Sequence, residues 1–253
     1  MNWGLEQVDS RVIRAFRFVD AESKAFVGRA FDVRVIKPVE IAEQVRLVRN
    51  RSGVYVIWGV PGLEEWMGTF KPPLPETPAA GAIVLELEVS DPERRFLPRR
   101  FEIALPPDRN KEDELYKAVD VILYPAPSAR SSAASAVMRF SCKNALNQEL
   151  GGVLLSVSVE IAEGSFLVEK GVSDQQGEAV VFMAGIPSVH WSESEEGTPF
   201  YPSFGGAVSA ACLPSEPWPP NPDILEAHLL LLSLDEPIEI ASASEIHREL
   251  VLP

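Results

Sequence analysis

One phrase occurs twice in this chain, and it limits the folds available more than any other feature. In Asn50-Arg51-Ser52-Gly53-Val54-Tyr55-Val56-Ile57-Trp58-Gly59-Val60-Pro61 an Asn stands three residues before a Gly, an apolar β-rich run follows, and Gly-Val-Pro closes it. The second copy opens at Asp174-Gln175-Gln176-Gly177, runs through Glu178 to Ala184, and closes at Gly185-Ile186-Pro187. An Asn or Asp side chain bonds its own backbone two residues on, and Gly takes the φ > 0 position, so each opening predicts a tight turn. A turn, a strand and a stop repeated at this spacing imply two copies of one β module.

The flanks repeat in the same order. In the first half Phe31, Val33 and Val35 alternate with polar residues, the period of a half-buried strand. Val54, Val56 and Trp58 on one face and Tyr55 and Ile57 on the other predict a central strand covered on both sides. Leu63 to Trp66 predicts one helical turn, and Asn110 to Val119 is the only other helical competitor in this half. Lys71 to Pro78 is too rich in proline for helix or ladder. Strands are expected at Ile83 to Val89, Phe101 to Leu105 and Val119 to Tyr124. The second half offers Val137 to Cys142, Val153 to Val159, Phe166 to Val168 and the second copy of the phrase, then Trp191 where the first half has Trp66. A Pro-rich segment, Leu213 to Pro222, takes the place of the first one. Ile224 to Leu234 is made of good helix formers, yet the register of the repeat places a strand there, and the repeat is followed.

The expectation is an all-β protein of two tandem Ig-like or transthyretin-like β-sandwich domains. Residues 1–10 form an N-terminal arm, 11–126 the first sandwich, 127–136 a small, turn-prone linker, and 137–253 the second sandwich. At 253 residues, with a hydrophobic fraction of 46% and five Trp, each half has enough material for its own core despite 22 Pro. No apolar run approaches the roughly 20 residues of a membrane helix, and the first residues lack a basic flank and an apolar core. A cytoplasmic location is therefore expected.

Charge is divided unevenly. Residues 1–126 carry 18 Lys and Arg against 20 Asp and Glu, a net of −2, whereas residues 127–253 carry 5 against 17, a net of −12. So acidic a second half repels a phosphate backbone, and nucleic acid is not an expected partner. It serves either solubility or docking on a basic protein surface.

Candidate chemistry is thin. Cys142, Cys212 and the three histidines have no CxxC or HxxxH spacing, and two buried thiols are expected rather than a bridge. Asp174 lacks the flanking carboxylates of a Ca²⁺ loop. Glu193, Glu195 and Glu196 fit a solvated loop better than a cation site, and adjacent Glu64 and Glu65 point apart. His190 beside Trp191 has no identifiable acidic partner or nucleophile, and GxSxG, P-loop and GxGxxG motifs are absent. No enzyme activity, cofactor or metal is expected. Asn50, Gly53, Asp174 and Gly177 are read as structural turn residues. The one basic cluster is Arg94-Arg95-Phe96-Leu97-Pro98-Arg99-Arg100. Arg94, Arg95, Phe96, Arg99 and Arg100 fit a protein-docking loop, and equally a charged edge that blocks strand-to-strand aggregation.

The tandem phrase resembles transthyretin-like or carboxypeptidase-regulatory-like β-sandwich modules, which occur in many contexts as non-catalytic spacers. The stretch Leu47 to Trp66, with Arg95-Phe96-Leu97-Pro98 and Leu123-Tyr124-Pro125-Ala126-Pro127-Ser128, is similar to proteins encoded in phage-tail-like contractile injection system clusters. That similarity implies a structural or accessory part of a tail-like particle, docking other protein subunits, and supplies no catalytic residue. The alternative is a glycan- or surface-binding module with Trp66, Trp191 or Trp218 as its aromatic platform. Burial of those Trp would count against it.

Overall fold

The computed structural model describes residues 11–69, 71, 73–130, 136–187, 190–191, 199–200, 203–213, 215–228, 230–232, 238–242 and 244–252. The expected arm, residues 131–135 of the expected linker, and Glu193, Glu195 and Glu196 lie outside these. The chain is mostly β and forms two compact units, one of Met1–Val19, Phe26–Val89 and Phe101–Val121, the other of Asp20–Ala25, Ser90–Arg100 and Ile122–Pro253. Two β-sandwiches account for them.

Successive elements of the first half are β1 (Arg14–Asp20), β2 (Asp32–Lys37), α1 (Val39–Ala42), β3 (Arg46–Arg49), β4 (Tyr55–Trp58), α2 (Glu64–Gly68), β5 (Ile83–Ser90), β6 (Arg99–Leu105), α3 (Glu112–Tyr116) and β7 (Val119–Leu123). They build one sheet in the order β3-β4-β1-β7 and a second in the order β2-β5-β6. Alternation is strict on β5, where Leu85, Leu87 and Val89 are buried and Glu86 and Glu88 reach outward to Lys37 and Arg34. The two sheets meet through aromatic rings. Phe16 of β1 lies edge-on to Phe101 of β6 at 5.3 Å and stacks on Tyr55 of β4 at 5.3 Å. The Tyr55 hydroxyl accepts from Phe31 N (2.8 Å) and donates to Phe31 O (3.0 Å), so the buried phenol ties β4 to the start of β2.

The second half continues with β8 (Ala136–Asn144), β9 (Leu154–Ala162), β10 (Ser165–Val172), β11 (Glu178–Met183), β12 (His190–Trp191), β13 (Pro199–Phe200), β14 (Phe204–Ala211), α4 (Pro222–Leu225), a 3-10 turn (Glu226–His228), β15 (Leu230–Leu232), β16 (Ile238–Ile240) and β17 (Glu245–Leu252). One sheet runs β11-β8-β17; the other runs β10-β9-β14-β15, with β16 also on β14. Inward residues of both, among them Phe140, Val181, Val157, Val208 and Leu250, make one buried core.

The repeat is visible in the pairing. In each unit the strand after the Asx turn lies antiparallel to the unit's first strand, β4 on β1 and β11 on β8. The last strand of each half, β7 or β17, flanks that first strand on its other side. The copies differ at the turn itself. β3 and β4 form a hairpin within one sheet, whereas β10 pairs with β9 and β11 with β8, so the second turn carries the chain from one sheet to the other.

Two expectations drawn from the repeat are corrected. Ile224 to Leu234 is not one strand: Asn221 accepts from Asp223 N (3.2 Å) and Pro222 occupies the first helical turn, a start signal that forms α4 before the chain straightens into β15. Trp191 lies on the short strand β12, whereas its counterpart Trp66 lies on helix α2.

Candidate functional site

The basic cluster is built on an Asx turn that the sequence reading did not recognise. Asp91 is buried, and its carboxylate accepts from Glu93 N (3.0 Å), Arg95 N (2.7 Å) and Phe96 N (3.0 Å). Arg94 N donates to Asp91 O at 3.0 Å, and Arg94 has φ +56. The same frame occurs at the repeated turns. Asn50 Oδ1 accepts from Val54 N, Gly53 N donates to Asn50 O, and Gly53 has φ +88. Asp174 Oδ1 accepts from Gln176 N and Glu178 N, Gly177 N donates to Asp174 O, and Gly177 has φ +78. Asn144 closes a further one with Asn147 at φ +62. Arg94 thus fills the position that the two repeated phrases give to glycine. The local signal is the Asp91-Pro92 step, which favours turn initiation, but no glycine three residues on marks the turn as it does at Gly53 and Gly177.

The structure divides the five candidate docking residues. Arg94 and Arg95 are exposed at the tip of the turn. Phe96 is buried and bridges Pro125, with Leu97 N donating to Tyr124 O and Ala126 N to Arg95 O. Arg99 is only 2% exposed: its guanidinium donates to Ile122 O (2.7 Å), Arg100 O (3.1 Å) and Asp223 Oδ2 (2.5 Å). Arg100 is half-buried, with N on Pro220 O (2.9 Å) and Nη2 on Trp218 O (3.2 Å). Phe96 and Arg99 are therefore held inside and cannot present side chains to a partner. They fix the stem on which Arg94 and Arg95 are displayed.

The stem packs on a second, smaller cluster, in which Ala21, Leu97, Tyr124 and Ala126 meet Leu154, Val172, Ala211 and Leu225. Burial pushes the Tyr124 phenol up to about 12; nearby Arg99 acts in the opposite direction, while Glu226 and Asp223 add to the rise. Beside the tip is a depression of about 360 Å³ whose rim carries three arginines, Arg94, Arg95 and Arg130, and three carboxylates, Asp20, Glu22 and Glu93. Mixed signs suit a polar protein surface better than an anion of one kind.

The other candidates are dispersed. Trp66 is 4% exposed, and its indole nitrogen is buried without a partner among the described residues. Trp218 is half-buried beside a depression of about 310 Å³ that Glu216, Gln175 and Pro217 also line. The Trp191 and His190 side chains lie outside the described residues. Glu64 turns back to accept from Gly62 N (3.0 Å), so it serves the start of α2 and not a paired carboxylate. Among the described residues no three His, Cys, Asp or Glu side chains gather as a metal would need, and no helix is long and apolar enough to cross a membrane.

The fold and this site define a two-unit β-sandwich protein with one pinned basic turn. No family model and no curated protein matches the chain. Among solved structures it is distantly similar to β-sandwich proteins of Gram-positive bacteria. The Bacillus anthracis TIE protein is 10% identical with a TM-score of 0.26, over 95% of this chain and 34% of that one. BcpA, the major pilin subunit of Bacillus cereus, is 9% identical with a TM-score of 0.25, over 96% of this chain and 59% of that one. The shaft pilin spaA from Lactobacillus rhamnosus GG is 11% identical with a TM-score of 0.22, over 97% and 100%. This chain thus spans about a third of the TIE protein and three fifths of BcpA.

Proposed function

We propose that this protein is a non-enzymatic assembly component, two sandwich units serving as a spacer whose surfaces dock other protein subunits. The setting we propose is a phage-tail-like contractile injection system assembled in the cytoplasm, following the similarity of Leu47 to Trp66 and Leu123 to Ser128. Arg94 carries the docking reading. An arginine held at φ +56 costs about 1–2 kcal/mol relative to the right-handed region, and glycine would avoid that cost. Strain of this kind persists where the position of a side chain matters. Here Asp91 fixes the backbone, and Arg94 and Arg95 are displayed on a stem with little freedom left to lose on binding. An acidic or mixed-charge protein surface is the complementary partner.

A glycan-binding role is the weaker reading: of its three candidate Trp, Trp66 is buried, Trp191 has its side chain outside the described residues, and Trp218 is half-buried beside a small depression. The test is to isolate high-molecular-weight particles from the native cell and identify their proteins by mass spectrometry. Co-sedimentation of this chain with sheath and tube proteins supports the reading. A chain found only as free monomer, while particles assemble normally without it, overturns it.

A further inference from the structure

Edge strands expose unpaired backbone, and proteins guard them with charge or proline. Here Arg34 and Lys37 stand on the edge strand β2, and Arg46 and Arg49 on β3. β10 is different. It ends the sheet β10-β9-β14-β15, and among the described residues it pairs only with β9. Its stretch Phe166-Leu167-Val168 carries no charge and no proline, and Phe166 is 59% and Val168 49% exposed. Further along, Glu169 pairs with Lys24 of the Asp20–Ala25 turn, which belongs to this unit, and Lys170 pairs with Glu226. β11 then comes close: a Cβ on Gly171 would stand 2.5 Å from Val180 O. The open part of the edge is the neutral part.

Register fixes what this edge presents. Phe166 lies opposite Glu160 and Val168 opposite Ser158, which in turn lies opposite Ala207 of β14, so these side chains share one face. Val157, Val159 and Val208 point into the core, so the shared face is the outer one. Ser173, just past β10, donates its N–H to Val153 O. Backbone direction alternates along a strand, so Leu167 and Glu169 also bond toward β9, whereas the N–H and C=O of Phe166 and Val168 point away from the sheet. Behind Phe166 the outer face is low. A depression of about 610 Å³ is floored by Ser158, Gly205 and Ala207, and its described lining carries two carboxylates, Glu160 and Glu163, and no cation. Neighbouring strands stand about 4.8 Å apart, so Glu160 would be about 10 Å from a strand added beside β10. An Arg or Lys lying over the Phe166 ring spans that distance.

We infer that the Phe166–Val168 edge of β10 takes up an extended segment of a partner protein in which apolar residues alternate with Lys or Arg. Phe166 and Val168 exchange backbone hydrogen bonds with the added strand. Its basic residues lay their stems on the Phe166 and Val168 side chains and bring their heads to Glu160 and Glu163. Its apolar residues, on the other face, extend the core past Leu167, which is itself packed against that core. A second copy of this chain is the poorer occupant: residues 127–253 carry a net charge of −12, and two such edges would bring their carboxylates together. The partner's charge is the reverse of that suited to the Arg94–Arg95 tip, so the two surfaces are tested separately.

The test titrates the full chain into a fluorescein-labelled peptide of alternating Lys and Val, followed by anisotropy and by amide exchange in NMR. Binding should slow exchange at the Phe166 and Val168 amides, and methylating the peptide's pairing backbone nitrogens should abolish it with the charge unchanged. Val168→Pro removes one outward N–H without touching a bond to β9, and should weaken binding about tenfold. Val168→Lys, which places a guard charge on the edge without altering the backbone, should do the same. Glu160→Gln with Glu163→Gln should also weaken binding about tenfold and flatten its salt dependence. Arg94→Gly with Arg95→Ser should bind the peptide as well as the wild type does. Absence of binding, binding that the methylated peptide retains, or binding that Val168→Pro and Val168→Lys both leave intact would overturn the inference. So would preference for a peptide of alternating Glu and Val, or protection of the same amides by dimerisation of the chain alone.

Discussion

Replacing Gly177 by alanine should destabilise the second unit by about 1–2.5 kcal/mol, and the structure separates the sources of that loss. Gly177 has φ +78, where a Cβ costs about 1–2 kcal/mol. A Cβ there would also stand 2.5 Å from Cys142 O and 3.1 Å from Leu150 N. The Cys142 carbonyl cannot yield without disturbing the bond it accepts from Leu150 N (2.9 Å), and the neighbouring Cys142 N to Gly177 O bond (2.8 Å) joins the same two residues that the Cβ would force apart. Loss of either is worth about 1 kcal/mol, and alanine returns about 0.4–1 kcal/mol through the stiffer unfolded chain. Gly185 is the control: its φ is +92, but no atom lies within 4 Å of its Cβ position. Gly185→Ala should therefore cost only about 0.5–1 kcal/mol. Urea titrations followed by circular dichroism should show the midpoint falling by about 1 M for Gly177→Ala and much less for Gly185→Ala. Equal midpoints for the two variants would refute the close-packed turn.

Tyr124 makes stability fall in alkali: its folded phenol is raised to about 12 from the usual 10, so the unfolded chain ionises first. The contribution is complete below pH 10 and is lost as pH rises from 10 to 12, by about 2–3 kcal/mol in all. Absorbance titration of the four tyrosines should leave one ionising last, and four equal transitions near pH 10 would contradict this. Arg94→Gly should raise stability by about 0.5–1 kcal/mol, because relief of the φ +56 conformation exceeds the added freedom of the unfolded glycine. A loss of stability in the same urea assay would show that the Arg94 side chain itself holds the turn.

Much of the fold was legible in the sequence because its strands alternate and its turns carry their own chemistry. Asn50 and Asp174 announce their turns locally, and β5 shows its buried face in Leu85, Leu87 and Val89. Where the sequence misled, tertiary context or a local cap overrode the repeat. Ile224 to Leu234 looked like a single element until Asn221 and Pro222 started a helix inside it. The alternation of Val153, Leu155, Val157 and Val159 predicts one buried face for β9, yet Leu154 on the other face is covered as well, by the smaller cluster around Tyr124 and Leu97, while Leu155 enters the main core. The candidate site was legible as a basic cluster but not as a geometry. Nothing local distinguishes Arg99, buried on Ile122 O and Asp223, from its exposed neighbours Arg94 and Arg95. Nor does composition reveal that Asp91 builds with Arg94 the turn that Asp174 builds with Gly177.

Docking through the Arg94–Arg95 tip is tested most directly by the share of this chain recovered in high-molecular-weight particles, wild type against Arg94→Gly with Arg95→Ser. Both side chains are exposed, so the double variant should fold and should melt no lower than the wild type, a few degrees higher where relief of the Arg94 backbone shows. The wild type should co-sediment with sheath and tube proteins, and the variant's share should fall by about tenfold, with high salt weakening the wild type toward the same level. Equal recovery of the two proteins at low salt would contradict docking through this turn.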